Sequence, residues 1–496
     1  MDRSCKDEMK MKKQLGKINN ILDMYRKIPL PAKASMWFVF CSVVQKGIAF
    51  ITTPIFTRMM STEEYGLVSV YSSWLSILTV ILTFQLATGV YNKAMIKYEK
   101  ERNAYTSSML FLTTVLVLTS LFIFLIFRKP FSNMLGMNTA VTVVMFIDLI
   151  FSQAMSFWTV RNRFEYEYKN IVGFTLASTI LSTFGSVFAI YLFPESKAYA
   201  RIYTMALVHV VIYSVVYYKI MHKGRRLVWT SAWKYALNYN LPLIPHYLSQ
   251  QVLNQADRLM INKMCGSAQT AIYTVAYQIA MVLNIITTAI ESSFTPWAYQ
   301  KISEGKEKEV GKLAQIILVI TGMICFFFTL FAPEFIYLLG GEKYASAIWV
   351  VPPVCMSVYF IMMYSLISTV TFYYEKTKSI MLASCVIAVL NIILNKYFIA
   401  IYGMVAAGYT TLACYIGYAM IHYYLMYRVS KEEEKQIPFN VYFIWGPAIV
   451  FVLLAIVSSL LYSHVKLRVL FIVLLGGALA IAGYKSRNIL SKLLKK

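Results

Sequence analysis

The chain has 496 residues, of which 58% are hydrophobic and 14% are charged, and its formal net charge is +24. So apolar a composition excludes a soluble globular protein, because most of its surface must be solvated by lipid. The 47 Lys and Arg residues are distributed among the segments between apolar runs rather than gathered in one patch, which argues against nucleic acid as a partner.

Residues 1–33 form a basic N-terminal segment that lacks the apolar core and cleavage site of a secretory signal. Its apolar residues recur at helical spacing among lysines: Leu15, Ile18, Leu22, Tyr25 and Ile28. This pattern predicts a cytoplasmic amphipathic helix on the anionic inner leaflet.

Fourteen apolar runs follow, most of them about 20 to 28 residues long, which is the length that crosses a bilayer. They predict an all-α polytopic membrane protein with about 14 transmembrane helices. The runs begin near Ala34, Tyr65, Tyr105, Thr139, Asn170, Arg201, Trp233, Thr270, Lys312, Tyr344, Lys378, Tyr402, Asn440 and Lys466. The seven cysteines are not spaced as metal or redox pairs, so we expect neither a metal nor a cofactor.

The first run carries a lysine, Lys46, near the middle of the otherwise uncharged residues 34–57. A lysine at the centre of a membrane helix costs roughly 2.5 to 3.5 kcal/mol on insertion scales, so such residues usually face a protein-lined or watery cavity. Ser42 and Thr53 share its helical face, which predicts a polar stripe on that cavity. A structural ion pair with Asp148, central in the fourth run, is the alternative.

The seventh run is the most polar of the fourteen. A cavity-facing stripe is predicted from Asn240, Tyr247, Gln251, Asn254, Arg258 and Asn262, with His246, Gln250 and Asp257 on a neighbouring stripe. Pro242 and Pro245 interrupt the run near its cytoplasmic end and predict a bend that can act as a hinge.

Cations from opposite halves of the chain, Lys46 and Arg258, would attract an anion such as a pyrophosphate headgroup into a cavity between them. If movement of such an anion is coupled to an ion gradient, the carboxylates predicted to bind the coupling ion are Asp148, Asp257 and Glu291. For Asp257 and Arg258 the alternative stays open that they pair with each other or anchor the helix at the interface.

The basic residues also predict the topology. With the N-terminus inside, the cytoplasmic segments hold 35 of the 47 Lys and Arg residues and the outside loops hold 11. Such an excess on one side is typical of the cytoplasmic loops of membrane proteins, so both termini are predicted to be cytoplasmic.

Residues 45–71 and 250–277 resemble one another about 205 positions apart, with six helices between their starts. We therefore predict two six-helix lobes in a pseudo-two-fold parallel repeat, with the substrate site between them. The predicted segments are 1–33, the N-lobe 34–219, a basic cytoplasmic linker 220–232, the C-lobe 233–428, a charged cytoplasmic linker 429–439, and helices 13 and 14 with a basic C-terminus in 440–496.

No phosphate-binding loop, HExxH or GxSxG motif occurs, and no loop is longer than about 20 residues. We therefore expect a transport protein without catalytic residues rather than an enzyme.

Three stretches resemble the oligosaccharide flippases of bacterial surface-polysaccharide pathways: TRMMSTEEYGLVSVYSSW at 57–74, the run NLPLIPHYLSQQVLNQADRLMINKMCG within 240–279, and SSFTPWAYQ at 292–300. The resemblance is to the O-antigen (Wzx-type) branch of the multidrug/oligosaccharidyl-lipid/polysaccharide (MOP) superfamily. It implies a MOP-type fold and a multi-pass protein of the bacterial cytoplasmic (inner) membrane. Lys46 matches the cationic first-helix position of that family, and Asp257 with Arg258 matches its pair on helix seven.

The function implied by this resemblance is translocation of undecaprenyl-pyrophosphate-linked oligosaccharide by alternating access. The expected partners are that lipid-linked substrate, membrane lipids, and the polymerase and glycosyltransferases of the same pathway, and the protein is expected to be a monomer. A cation-coupled multidrug exporter of the same superfamily is the nearest alternative, followed by a membrane glycan polymerase or glycosyltransferase and by a scaffold without transport. The driving force stays open between Na⁺, H⁺, membrane potential and removal of product.

Overall fold

The computed structural model describes residues 29–374 and 376–474, and every regular element within them is helical. The predicted N-terminal amphipathic helix and most of the predicted fourteenth helix lie outside the described residues. The helices are α1 (Leu30–Met59), α2 (Thr62–Thr83), α3 (Tyr91–Lys97), α4 (Arg102–Ile126), α5 (Arg128–Leu135), α6 (Thr139–Phe164), α7 (Tyr168–Leu192), α8 (Lys197–Gly224), α9 (Thr230–Asn240), α10 (Ile244–Cys265), α11 (Ser267–Ser303), α12 (Glu307–Leu330), α13 (Ala332–Gly340), α14 (Val351–Tyr373), α15 (Thr377–Tyr402), α16 (Met404–Glu432) and α17 (Val441–Leu460). Short 3₁₀ segments occupy Glu99–Glu101, Leu241–Leu243, Glu342–Trp349 and Leu461–Ser463.

Twelve helices of the described chain are long and apolar enough to cross a membrane, which confirms the polytopic helical fold. Helix α10 is not among the twelve, because Gln, Asn, Asp and Arg side chains lower its hydropathy. The total of fourteen spans stays a prediction.

Local sequence signals fix several helix ends. The Ser61 hydroxyl accepts from the Glu64 amide, and the Glu64 carboxylate accepts from the Ser61 amide, so this capping box starts α2. Gly266 alone joins α10 to α11, with a positive φ of 91° that L-residues rarely adopt. The two helices therefore form a tight hairpin.

Two lobes pack side by side. In the first, α6, α7 and α4 all pack against α8, and α7 also packs against α1. In the second, α14 packs against α16, α11 and α12, and α15 packs against α16 and α10. Helix α17 lies on α12 and α14, so it belongs to the second lobe.

The lobes meet through α1 and α2 of the first and α10, α11 and α13 of the second. We call the end of the bundle where α1 begins the Pro29 end, and the end where α1 stops the Ser61 end. At the Ser61 end the Thr57 hydroxyl donates to the Leu339 carbonyl oxygen over 2.6 Å, and Lys343 Nζ donates to the Met60 carbonyl oxygen over 2.7 Å. The lobes are closed together at this end.

The seventh helix is interrupted at the prolines, where a bend was predicted. Helix α9 stops at Asn240, the Leu241–Leu243 turn follows, and α10 begins at Ile244. Ala232 and Ala236 of α9 are buried in a cluster with Tyr91 and Tyr105 of the first lobe, whereas α10 packs against α2, α11 and α15. The break therefore separates a short helix held by the first lobe from a long one at the lobe interface.

Candidate anion-binding site between the lobes

A cavity of about 380 Å³ lies between α1 and α11 on the half of the bundle nearer the Pro29 end. Because α1 belongs to the first lobe and α11 to the second, it is a cavity at the lobe junction. Its polar lining consists of Ser35, Ser42, Lys46, Arg163, Thr288 and Ser292. The structure thus places Lys46 and Ser42 on a cavity, and a role of Lys46 in substrate binding stays a prediction.

Two cations on this cavity form no ion pair with any described residue. Lys46 is partly buried, and Arg163, at the last turn of α6, is exposed with its guanidinium carbon 5.3 Å from the Phe38 ring centroid. None of the ion pairs within the described residues contains Lys46 or Arg163. Two uncompensated cations in a recess concentrate positive potential there and attract anions. Arg163 was not singled out from the sequence, because it lies among the ordinary basic residues of a cytoplasmic segment.

The ion pair proposed between Lys46 and Asp148 does not form. Asp148 is buried in the first lobe, where its carboxylate accepts from the Tyr71 hydroxyl over 3.1 Å and from the Ser152 hydroxyl over 2.9 Å. Its ionisable partner is His209, whose Nδ1 lies 2.9 Å from Asp148 Oδ1. The alternative prediction, a structural ion pair between Lys46 and Asp148, is therefore wrong.

Asp257 is buried in the second lobe among neutral donors. Its carboxylate accepts from Asn395 Nδ2 over 2.7 Å, from the Thr411 hydroxyl over 2.8 Å and from the Tyr273 hydroxyl. Arg258 instead donates to the Asn254 carbonyl oxygen and to the side chain of Gln255, so the suggested Asp257–Arg258 pair is not formed.

The Asp257 network continues through amides and hydroxyls: Asn391 Nδ2 donates to the Thr411 hydroxyl, and Thr410 hydrogen-bonds Asn395. Its oxygens and amides suit a proton or a hard cation, whereas the described residues contain no group of three His, Cys, Asp or Glu that would hold a transition metal. Two Asn residues four apart in the apolar run of α15 are the sequence signal that would have revealed this network.

Two residues predicted on the cavity are buried elsewhere. Asn240 accepts from the Val90 amide over 2.9 Å and donates to the carbonyl oxygens of Phe84 and Gln85, so it fastens the end of α2 to the helix break. Thr53 is buried with its hydroxyl bonded inside α1. Neither lines the cavity, and both assignments are corrected.

The remaining predicted contacts lie apart from Lys46. Tyr247, Gln251 and Asn254 lie on α10, which contributes no residue to the cavity, and Arg258 stacks 4.8 Å from the Tyr277 ring. The structure therefore does not bring Lys46 and Arg258 to one cavity, and a substrate role for these four α10 residues stays a prediction.

Glu291 is partly buried beside Ser365 of α14 and immediately precedes Ser292 on the cavity wall. It is thus the carboxylate nearest in sequence to the lining of this cavity. Its coupling role stays a prediction.

A family model described as "Polysaccharide biosynthesis protein" matches residues 32–300, and a second, described as "MatE", matches residues 242–396. A Haemophilus influenzae protein named "Lsg locus putative protein 1" is 22% identical over 282 residues, which are 55% of this chain and 67% of that protein. An "Uncharacterized membrane protein" of the same organism is 20% identical over 81% of this chain and 98% of its own.

Among solved structures, "Lipid II flippase MurJ, inward closed conformation" superposes with a TM-score of 0.64 at 12% identity, covering 88% of this chain and 99% of that one. An inward-facing multidrug resistance MATE family transporter of the MOP superfamily superposes with a TM-score of 0.60 at 14% identity, covering 80% of this chain and 96% of that one. At these identities the likeness shows the fold, which is the predicted MOP-type fold.

Proposed function

Because the chain belongs to the polysaccharide biosynthesis protein family and has the fold of MOP transporters, we propose that it flips undecaprenyl-pyrophosphate-linked oligosaccharide across the bacterial cytoplasmic membrane. The substrate is an amphiphile with a diphosphate between glycan and lipid. The protein has to neutralise that diphosphate while it crosses, because charge is costly in the hydrocarbon core.

The observation that carries this proposal is the pair of cations on the cavity between the lobes, Lys46 and Arg163, which form no ion pair within the described part of the chain. A diphosphate offers several oxygens to both groups, and charge-assisted hydrogen bonds to phosphate are about twice as strong as neutral ones. Arg163 supplies a guanidinium for bidentate contact, which the lysine at position 46 lacks.

The closed Ser61 end supports loading of the substrate from the opposite end of the bundle. Contacts such as Thr57–Leu339 hold the lobes together at the Ser61 end, whereas the cavity lies nearer the Pro29 end. The basic loops assign the Pro29 end to the cytoplasm. Substrate would therefore load in this state from the inner leaflet, and rocking of the lobes would release the headgroup outside while the lipid tail stays in the bilayer.

Coupling to an ion gradient is assigned to the buried carboxylates. The hydrogen-bond partners of the Asp257 carboxylate are neutral, so a bound proton or Na⁺ would neutralise its buried charge. Because Asp257 lies on α10 at the lobe interface, binding of that ion would affect how the lobes pack. Asp148 has a titratable partner in His209, which makes proton exchange the chemistry suited to that pair.

A cation-coupled multidrug exporter is the second candidate, favoured by the match of residues 242–396 to the MatE model. The two cations on the cavity, Lys46 and Arg163, oppose it, because they repel cationic drugs.

The test is reconstitution with a fluorescent lipid-pyrophosphate oligosaccharide, measuring how fast the headgroup becomes accessible in the opposite leaflet. Lys46→Gln and Arg163→Gln should each lower the rate about tenfold, and Lys234→Gln, an exposed lysine away from the cavity, should not. Arg258→Ala tests the contact predicted on α10. An unchanged rate in the Lys46→Gln/Arg163→Gln double variant, or efflux of cationic dyes without flipping, would overturn the proposal.

A further inference from the structure

A second and larger cavity, of about 680 Å³, lies at the Pro29 end where α12, α16 and the start of α17 meet. It lies within the second lobe and shares no residue with the cavity of Lys46. Among the described residues that line it, the charged ones are Lys308 and Lys312, one helical turn apart on α12 and both exposed. Neither lysine belongs to an ion pair within the described residues.

The opposite wall of this groove is apolar and aromatic, with Phe439, Val441 and Ile444 before and within α17 and Tyr427 on α16. Lys431 Nζ lies 4.8 Å from the Tyr427 ring centroid and adds a third cation at the rim. Helix α17 begins here, and the positive end of its dipole adds to the positive potential. The groove is thus cationic along one wall and apolar along the other.

We propose that this groove binds an anionic phospholipid, with the phosphate against Lys308 and Lys312 and the acyl chains along the apolar wall. Free phosphate would leave the apolar wall exposed to water. A zwitterionic lipid would place its own positively charged group close to the lysines, which would repel it. The Pro29 end is assigned to the cytoplasm, whose leaflet is anionic and attracts basic pockets of this kind.

A lipid in the groove would join α17 to the rest of the second lobe. The contact there is already close, since a Cβ at Gly311 would collide with the Pro438 carbonyl oxygen, and the Tyr423 hydroxyl donates to the Phe439 carbonyl oxygen over 3.0 Å. Filling the groove adds apolar contact on both sides of this junction. Anionic lipid should therefore raise the thermal stability of the protein.

The experiment is native mass spectrometry of the full chain in detergent, titrated with phosphatidylglycerol or phosphatidylcholine, with the melting temperature measured in parallel. Lys308→Gln/Lys312→Gln should weaken phosphatidylglycerol binding about 25-fold, because each interfacial lysine contributes about five-fold. The matched control is Lys219→Gln/Lys223→Gln, an exposed pair with the same spacing whose cavity also contains Glu165 and Glu167.

The proposal holds when the first variant alone loses phosphatidylglycerol binding and the melting-temperature rise that this lipid gives. Equal losses of binding in the test and control variants would mean that basic surface attracts the lipid in general. Unchanged binding in the Lys308→Gln/Lys312→Gln variant would mean that something else fills the groove. Either result would overturn the proposal. Because no transport is measured, this result is separate from the test of the flippase proposal.

Discussion

Asp257 and Lys46 hold charge in the membrane in two different ways. Asp257 is buried among three donors that satisfy its carboxylate, whereas Lys46 has no counter-ion in the described chain and lies on a cavity. A buried charge without a counter-ion is stabilised by hydrogen bonds. A charge that faces a cavity is stabilised by water or by a bound group of opposite charge. The two residues are therefore expected to respond differently to substitution: the first in stability and ion response, the second in substrate binding.

The hydroxyl of Thr411 is central to the Asp257 network, because it donates to the carboxylate and accepts from Asn391. Thr411→Val should lower the free energy of unfolding by about 1.5 to 3 kcal/mol, as expected for losing a hydrogen bond to a charged group. Thr371→Val is the matched control, since the buried Thr371 hydroxyl has no hydrogen-bond partner among the described residues and its removal should be neutral or stabilising. Thermal unfolding in detergent measures both, and equal losses would contradict the network.

Helical periodicity predicted the direction in which polar side chains point, and this prediction was not right for every residue. Asn240 was placed on one stripe with Arg258 by extending helical periodicity through Pro242, and the break at Leu241–Leu243 ends that periodicity. Lys46 lies on an unbroken stretch of α1, and there the predicted face is the one on the cavity. Arg163 joins Lys46 only through the tertiary fold, which no local pattern indicates.

At the scale of elements, two close contacts hold α2 at the boundary between the lobes. Asn240 bonds the end of α2 to the break before α10, and Gly66 lets α2 approach the start of α11. One contact is near the Pro29 end and the other at the Ser61 end, so α2 is held at both of its ends. A movement of the lobes must change at least one of them.

Asn240→Ala should destabilise the protein by about 2 to 4 kcal/mol, because the Val90 amide and the two carbonyl oxygens lose their buried partner. Asn254→Ala is the comparison, since Asn254 is exposed and bonds only within its own helix. Denaturant-induced unfolding should separate the two variants; similar stabilities would show that Asn240 is not a clamp.

Gly66→Ala should weaken closure at the Ser61 end, because a Cβ there would collide with the Ser267 carbonyl oxygen. Overpacking of this kind costs about 1 to 3 kcal/mol. Gly47→Ala on α1 meets no atom within 4 Å and should be neutral or slightly stabilising, since alanine favours helix. Melting temperatures test both, and a Gly66→Ala protein as stable as Gly47→Ala would refute the close contact.

At the scale of the whole molecule, the two lobes are closed at one end and enclose a cationic cavity toward the other. The assignment of the Pro29 end to the cytoplasm rests on the basic loops. The span formed by α9 and α10 determines whether the second lobe keeps the orientation that this assignment requires.

Single cysteines at four exposed positions near helix ends test this topology in intact cells with a membrane-impermeant thiol reagent. Glu195→Cys and Glu342→Cys, at the Ser61 end, should be labelled, whereas Lys223→Cys and Glu304→Cys, at the Pro29 end, should not. Cys41 and the other native cysteines of the described chain are buried or partly buried, which limits their background. Labelling of Glu304→Cys with protection of Glu342→Cys would show that α10 does not span.

The polarity of α10 has a consequence for biogenesis. A segment with an aspartate, an arginine and several amides does not partition into lipid by itself, so the translocon should release it only together with α11, to which the single residue Gly266 joins it. Its polar face also needs α2 as a neighbour. The second half of this protein should therefore insert correctly only when the first half is already in the bilayer.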